Sequence, residues 1–464
     1  MKKILSSLLF VFIAIIIASC TTTATENTST DLTTTEMATT EAPPPTNQPT
    51  IVTTIDRPST TEIEITIIDT ETTTEIEDGF SLFEMAKYHS IAVNSDNEVY
   101  GWGDNTYGQL GQALNSSEEI VNLTHYFELW PNEYFVDIAL GDFHSSILTS
   151  YGRVYSWGSN THGQMGDGTY LSFDMPIDNT KYYNIDEGER IIDIESGAGH
   201  MIALTSDGRV LSWGYNENGQ VGAGPDETIY NYSNDITDLL NLGINEEVIK
   251  IDTGYENSAV LTSQGRLISW GYNIVGQLGN GTTDNVYFPT DHTEFIPLVD
   301  GENIIDIELG YYHTAVLTSN HRILVWGLND HGQAGNRSEM NLLLPTDITE
   351  NFNLDENDYI ESLSFGGWSS SAISQFGQVF MWGANGQGRL ALPEQKNFTI
   401  PTNILGQFDL YRGEVIVDVI LGGWSSSAIT SYGRLFTWGM NSTFQLGSQT
   451  NQEFNDEPIE ISIE

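Results

Sequence analysis

Cysteine is all but missing: the 464 residues include one, Cys20. The chain can therefore form no internal disulfide and no thiolate metal site. Positive charge is scarce too, with 16 Lys and Arg against 64 Asp and Glu, a formal net charge of −48. A field of that sign repels phosphates, which argues against nucleic acid and anionic membrane surfaces as partners. The plainest use of such acidity is solubility in salty surroundings, where charges more than about 10 Å apart are screened at ~0.1 M salt. Recognisable catalytic patterns are lacking as well. No Ser-His-Asp or Cys-His arrangement stands at motif spacing, and no pair of carboxylates can be singled out among so many. The glycine-rich corners described below have neither a following Lys nor a helix to cradle phosphate. Two acidic loops, Gly166 to Tyr170 and Gly279 to Asp284, lack the alternating Asp ladder of a calcium loop. Adventitious calcium stays open at this charge, but no catalytic residue, metal site or cofactor is assigned.

What is present is repetition. A Trp-Gly pair recurs at Trp102, Trp157, Trp213, Trp270, Trp326, Trp382 and Trp438, at intervals of 55, 56, 57, 56, 56 and 56 residues. A fixed period of this size marks stacked supersecondary units. Thirteen residues ahead of each Trp stands a polar residue: His89, His144, His200, Asn257, His313, Ser369 or Ser425. It is usually preceded at three residues' distance by Gly. Before it lies a strand such as Ile191 to Glu195 or Ile304 to Glu308, apolar at alternate residues; after it comes a strand of small and β-branched residues. A two-residue corner with Gly, as at Asp207-Gly208 or Gln264-Gly265, then turns the chain into the Trp strand. The pattern N-x-x-G-Q-x-G closes the block, as in Asn160, Gly163, Gln164, Gly166. A variable stretch follows, and its Pro289, Pro345 and Pro401 suit a further, outer strand that can spare an N–H. Four short strands per unit, seven times over, without helical periodicity, predict an all-β fold: a seven-bladed β-propeller of four-stranded blades.

Two segments precede the repeats. Residues 1–20 pair Lys2 and Lys3 with an apolar run from Ile4 to Ala18 and end in IASC. This reads as a signal peptide; the run is shorter than the ~20 residues a spanning helix needs. Small residues before Cys20 resemble a bacterial lipoprotein signal, which implies lipidation of Cys20 and display on the extracellular face of the cell membrane. Residues 21–79 are rich in Thr, Glu and Pro and read as a disordered, self-repelling stalk. Within it Glu62 to Ile68 alternates like a strand and is a candidate for pairing with the folded body.

In its Trp-Gly and N-x-x-G-Q-x-G blocks the chain, from Phe80 to Glu464, resembles the regulator of chromosome condensation repeat family. That resemblance implies a seven-bladed propeller. It also implies a protein-binding platform without chemistry of its own, or, as in the founding members, guanine nucleotide exchange on a small nuclear GTPase and binding to chromatin. An export signal and strong acidity oppose the second. Two units depart from the pattern. The sixth reads Asn385, Gly388, Arg389, Ala391, and the seventh has Phe444 where Gly is usual, so both corners are expected to differ in backbone shape. Units six and seven share GGWSSSAI, Gly366 to Ile373 and Gly422 to Ile429. Because Phe80 opens on a strand and PIEISIE from Pro458 ends on one, the ring is expected to close by pairing the C-terminal strand with the first repeat, which would leave no free edge.

The repeated His residues are expected to be structural, since blade symmetry spreads them around a ring instead of converging them on one ion at ~2.0–2.1 Å. The seven Trp are expected to pack between blades. Recognition is then left to the variable segments, whose Phe127, Trp130, Tyr182, Tyr183, Tyr230, Tyr232 and Phe295 are the candidate binding aromatics, about half of them packed under the loops. The expected function is a monomeric, non-enzymatic surface platform for a macromolecule, a protein first, touching the membrane only through its lipid. A glycan-binding or glycan-cleaving protein is the remaining alternative.

Overall fold

A computed structural model describes residues 79–112, 117–448 and 452–463. The leader with Cys20, the stalk to residue 78 and the strand-like Glu62 to Ile68 lie outside the described residues. The remainder forms seven four-stranded antiparallel sheets. Each sheet is one sequence period. Blade 1 comprises Phe80–Met85, His89–Asn94, Val99–Gly103 and Ser117–Asn122; blade 5 comprises Ile304–Leu309, His313–Thr318, Ile323–Gly327 and Leu342–Asp347. First strands of successive blades lie side by side, so they are innermost and the fourth strands outermost. The second strand is buried at every residue in all seven blades. After the polar anchor it is made mainly of Ser, Thr, Ala, Val, Ile and Leu, because it is packed on both faces and compact side chains fit best.

The Trp-Gly pair has a local cause. In every blade the pairing of third and fourth strands slips at the Trp, as between Val325 and Gly327. The following Gly takes φ from 94° to 104° in all seven blades. A Cβ on Gly327 would stand 2.5 Å from the Tyr312 carbonyl and 2.8 Å from His313 Cα, so only glycine fits. The Trp side chains are at most 1% exposed. Each indole Nε1–H donates, at 2.8–2.9 Å, to the carbonyl of the corner residue in the preceding blade: Gln109, Gln164, Gln220, Gln277, Gln333, Arg389 and, across the seam, Gln445 to Trp102.

The His at the polar position makes the next tie. His89, His144, His200 and His313 are fully buried, and each Nε2 lies 2.7–3.0 Å from a Ser hydroxyl of the next blade. Where that Ser donates its one proton to a corner carbonyl, as Ser145, Ser258 and Ser370 do, Nε2–H must be the donor to it. Nδ1 then carries no proton and has no partner. Burial holds these imidazoles neutral, with pKa lowered to about 3. The unfolded chain has an ordinary value near 6.5, so it binds more protons than the native state at any pH between the two. Stability is untouched by these groups above about pH 6.5 and falls progressively below it, by up to ~1.4 kcal/mol per pH unit for each His. Asn257 occupies the same position buried and uncharged. The His200→Asn/His313→Asn variant is therefore expected to unfold at lower pH than the native chain, with a shallower dependence on pH. An unchanged acid midpoint would show that these imidazoles do not set it.

The Gly three residues before the polar position answers to a steric demand, not to an unusual φ. A Cβ on Gly141, Gly197, Gly254, Gly310, Gly366 or Gly422 would lie 2.5–2.9 Å from a carbonyl oxygen of the next blade. The last contact runs from Gly422 to Ala86, so this collar crosses the seam between blades 7 and 1. Backbone bonds follow the same path: Asp142 N–H to Ala198, Ala198 to Tyr255, Tyr255 to Tyr311, Tyr311 to Gly366 and Gly367 to Gly422, at 3.0–3.2 Å apart from 3.3 Å for the first.

Ring closure differs from the sequence expectation. The C-terminal strand, Phe454–Ile461, pairs with Leu435–Met440 of its own blade, with Leu435 opposite Ile461. Blade 1 has its own fourth strand. Among the described residues each blade is built from one continuous stretch of chain. Periodicity is blind to phase: a unit cut before the first strand and one cut before the fourth give the same repeat, and Ser117–Asn122 lacks the Pro that marks five of the other six outer strands. The seam is instead held by packing of Phe80, Phe83, Met85 and Trp102 on Ile420, Ile429, Leu435, Leu446 and Ile461. The Trp102 and Ser90 bonds to the Gln445 carbonyl add to it. The two unusual corners also separate. Phe444 keeps the left-handed φ, 64°, of the Gly it replaces, and Ala391 does the same at 54°. Only unit six changes shape, at Gln387 (φ 66°).

The scarce cations have a repeated task on the opposite side of each blade. Arg153, Arg209, Arg266, Arg322 and Arg434 each bridge a Glu ahead of the first strand, whose side chain is at most 1% exposed, and a carboxylate at or near the end of the fourth strand, as Arg322 does with Glu302 and Asp347 at 2.8 Å each. Burial alone would raise the Glu302 carboxyl, but the Thr318 hydroxyl, the Val299 N–H and Arg322 together hold it below its usual range.

Candidate binding face

Antiparallel order puts the turns between first and second strands on the same side as the N-x-x-G-Q-x-G corners, and the Arg clamps on the other. Two residues of each such turn precede the polar anchor: Lys87-Tyr88, Asp142-Phe143, Ala198-Gly199, Tyr255-Glu256, Tyr311-Tyr312, Gly367-Trp368 and Gly423-Trp424. The collar beneath fixes these turns, so their side chains meet around the axis. Tyr88 stacks on Phe143 (5.6 Å), which also takes Tyr107 from a corner (4.7 Å). Tyr255 contacts Tyr311 and Tyr312 (4.8 and 5.6 Å), Tyr311 contacts Trp368 (5.8 Å), and Trp368 stacks on Trp424 (4.3 Å). The turn aromatics are half-buried, and Tyr107 is exposed.

Polar groups tie this band across the axis. The Tyr255 hydroxyl of blade 4 donates to Asp142 of blade 2 at 2.6 Å. Lys87 of blade 1 lies 4.0 Å from the same carboxylate and 5.8 Å from the Tyr255 ring centroid. Burial raises the Asp142 carboxyl, while the Tyr255 hydroxyl and Lys87 pull it back. Burial, with Asp142 beside it, pushes the Tyr255 phenol up, and burial does the same to Tyr311. Both tyrosines are thus hydrogen-bond donors at any physiological pH. Glu256 is raised by burial and by its neighbour Glu217. The result is a half-exposed face of two aromatic groups, Tyr88 with Phe143 and Tyr255 through Trp424, bridged by Lys87 and with acidic groups at the margin. Aromatics of this kind offer large contact area at low entropic cost, and their faces attract cations.

The aromatics proposed from the sequence lie elsewhere. Phe127, Tyr183 and Tyr230 are corrected to core: they are 9%, 2% and 7% exposed. Phe127 packs on Phe135, Tyr155 and Trp157, and Tyr183 on Trp213, filling space between blades. Phe295 is half-buried beside His292. Trp130, Tyr182 and Tyr232 are exposed at 57%, 46% and 55%, yet they stand on separate blades; Trp130 is covered by Arg153 at 4.7 Å. The structure does not bring these seven together. The turn-face aromatics went unselected although a signal existed: the residue before the polar anchor is Tyr88, Phe143, Tyr312, Trp368 or Trp424 in five of seven units. Among the described residues no group of three His, Cys, Asp or Glu is arranged to hold a metal ion.

Single-repeat blades, each locked to its predecessor by a buried Trp and turned toward solvent as an aromatic face, define a seven-bladed propeller scaffold. The chain belongs to the RCC1-like family: the RCC1-like domain model matches residues 66–300, and regulator of chromosome condensation repeats match 304–333, 377–429 and 432–464. It is 27% identical over 361 residues to the ultraviolet-B receptor UVR8 of Arabidopsis thaliana, covering 77% of this chain and 76% of that one. It is 28% identical over 351 residues to the mitochondrial RCC1 domain-containing protein RUG3 of the same plant, covering 74% and 75%. Prp20p of Saccharomyces cerevisiae, described with its binding to Gsp1p and histones, has the same fold: TM-score 0.66 at 19% identity, covering 84% of this chain and 88% of that one.

Proposed function

We propose that this propeller is a non-enzymatic docking platform for a protein, displayed through a lipid on Cys20 at the extracellular face of a bacterial membrane, and that its partner seats on the turn face. The observation that carries the reading is the pair of half-exposed aromatic groups around the axis, Tyr88 with Phe143 and Tyr255 through Trp424, joined by Lys87. Contiguous exposed aromatic surface on a rigid scaffold is the usual mark of a recognition site. The net charge of −48 and the carboxylates at the rim favour a partner that is basic overall, since complementary fields raise the association rate and exclude wrong partners. The propeller family supports binding in general; Prp20p, which binds Gsp1p and histones, shares only the fold. The lipid anchor and the surface location rest on the sequence from Lys2 to Cys20.

Site-specific photo-cross-linking tests this. A cross-linker at Tyr312 is expected to capture a protein from neighbouring-cell surface extracts, with yield lost when Trp424→Ala is added. A cross-linker at Tyr182, on the opposite side, is expected to capture nothing. Capture only at Tyr182 would move the site to the clamp side. Release of bound guanine nucleotide from a small GTPase by the purified chain would replace the docking reading with exchange activity.

A further inference from the structure

Arg389 is the exception among the buried cations. Five other arginines are each held by at least two carboxylates, whereas Arg389, 3% exposed, has no carboxylate within ion-pair distance among the described residues. It stands at the corner position that is Gln in the other six blades, Gln109, Gln164, Gln220, Gln277, Gln333 and Gln445. There the side-chain oxygen accepts the N–H two residues earlier. In blade 6 that N–H, of Gln387, goes instead to Gln395 Oε1 at 2.8 Å. The guanidinium is left to bond the Gly386 carbonyl through Nε at 3.1 Å and to lie 4.7 Å over the Trp424 ring. Nη1 is buried without a partner, and so is the acceptor Gln387 Oε1 in the same corner. Gly386 is exposed, and Nη2 sits 3.8 Å from where a Cβ on it would stand, so the fork approaches the surface there.

We infer that this corner is a seat for a carboxylate, presented at the edge of the aromatic face and gripped by the Nη1/Nη2 fork of Arg389. The Trp424 indole covers one face of the guanidinium and Gly386 takes Nε–H, which leaves the Nη1/Nη2 fork to match a carboxylate in bidentate fashion. A buried cation without a counter-ion is unfavourable until one arrives, and burial alone lowers the Arg389 pKa to about 10, with no acidic group opposing it. The unpaired Gln387 Oε1 adds an acceptor suited to an N–H beside the carboxylate. On a face otherwise acidic, one such seat fixes the orientation of whatever docks. The inference stands apart from the docking reading, because small carboxylates test it without a partner.

The full chain is titrated with acetate, N-acetylglycine, N-acetylaspartic acid α-amide (its side-chain carboxylate unblocked) and inorganic phosphate, each replacing chloride at constant ionic strength. Tryptophan emission and melting temperature are followed, since Trp424 and Trp368 adjoin the site. The carboxylates are expected to give a saturable change. N-acetylglycine binding more tightly than the blocked aspartate would assign the seat to a chain terminus, and the reverse to an acidic side chain. Arg389→Gln, which restores the residue of the other corners, is expected to fold, to melt no lower in chloride, and to weaken the response by about tenfold or more. Arg389→Lys keeps the charge without the fork and is expected to respond nearly as weakly. An equal response in Arg389→Gln, no change when carboxylate replaces chloride, or a response to phosphate alone would overturn the inference.

Discussion

Trp270→Ala is expected to destabilise the propeller by about 3–5 kcal/mol, the range for emptying a buried aromatic site. The indole is fully buried among Ile202, Val210, Ile236, Leu240, Ile251 and Val260 of two adjacent blades. Its Nε1–H donates to Gln220 at 2.9 Å, and the Ser258 hydroxyl donates to the same carbonyl at 2.9 Å. The substitution therefore opens a cavity across a blade junction and removes one of the two bonds tying that corner down. Trp270→Phe keeps most of the volume and is expected to cost far less, with loss of the hydrogen bond at ~0.5–1.5 kcal/mol among its terms. Trp130→Ala, at an exposed position on the other side, is expected to stay within ~0.5 kcal/mol of native. Denaturant melts of the three variants check the ranking; a Trp270→Ala midpoint near that of Trp130→Ala would mean that the repeated Trp does not hold the blades.

Blade number, strand order and the packing role of the seven Trp were legible because each is imposed by a demand repeated seven times. The Trp-Gly pair marks a slip in pairing that only glycine tolerates, and the demand recurs wherever the slip does. The Gly before the polar anchor was visible as a pattern, but its cause was not, since nothing in the sequence says that a carbonyl of the next blade, 56 residues on in the case of Gly310 and Gly366, would stand where its Cβ would go. Closure was misread because a repeat fixes spacing and leaves phase open. The candidate face was misplaced for a related reason. Aromatics in variable segments look like recognition loops, yet Phe127 and Tyr183 fill the wedge between diverging blades, which widens outward and must be packed. The turn aromatics sit inside the repeat and so read as framework, although the turn leaves their rings half-exposed. Arg389 was noticed only as a departure from Gln; that it lacks a counter-ion depends on distances no spacing reveals.

Deleting Pro458 to Glu464 is expected to produce the second large effect, confined to one blade. Residues 459–461 pair with Thr437, Phe436 and Leu435 of the third strand, and each ladder bond lost costs ~0.5–1.5 kcal/mol. Ile461, 6% exposed, inserts into the core shared by blades 7 and 1, with Ile463 packed against it; burial of an Ile contributes ~1.5–3 kcal/mol. Glu460 leaves Arg434, which it meets at 2.6 Å, with Glu414 alone. Together these terms approach ~5 kcal/mol, the lower end of the stability of a whole domain, so a much reduced melting temperature follows. The collar at Gly422 and Ala86 and the Trp102 bond to Gln445 are not touched, and they hold the seam without the strand. Hydrogen exchange separates this from closure through a shared blade. Amides of Leu435 to Thr437 should lose protection while those of Phe80–Met85, whose ladder partner is His89–Asn94, keep most of theirs. Equal loss in Phe80–Met85 would show that the C-terminal strand, and not the axial collar, is what closes the ring.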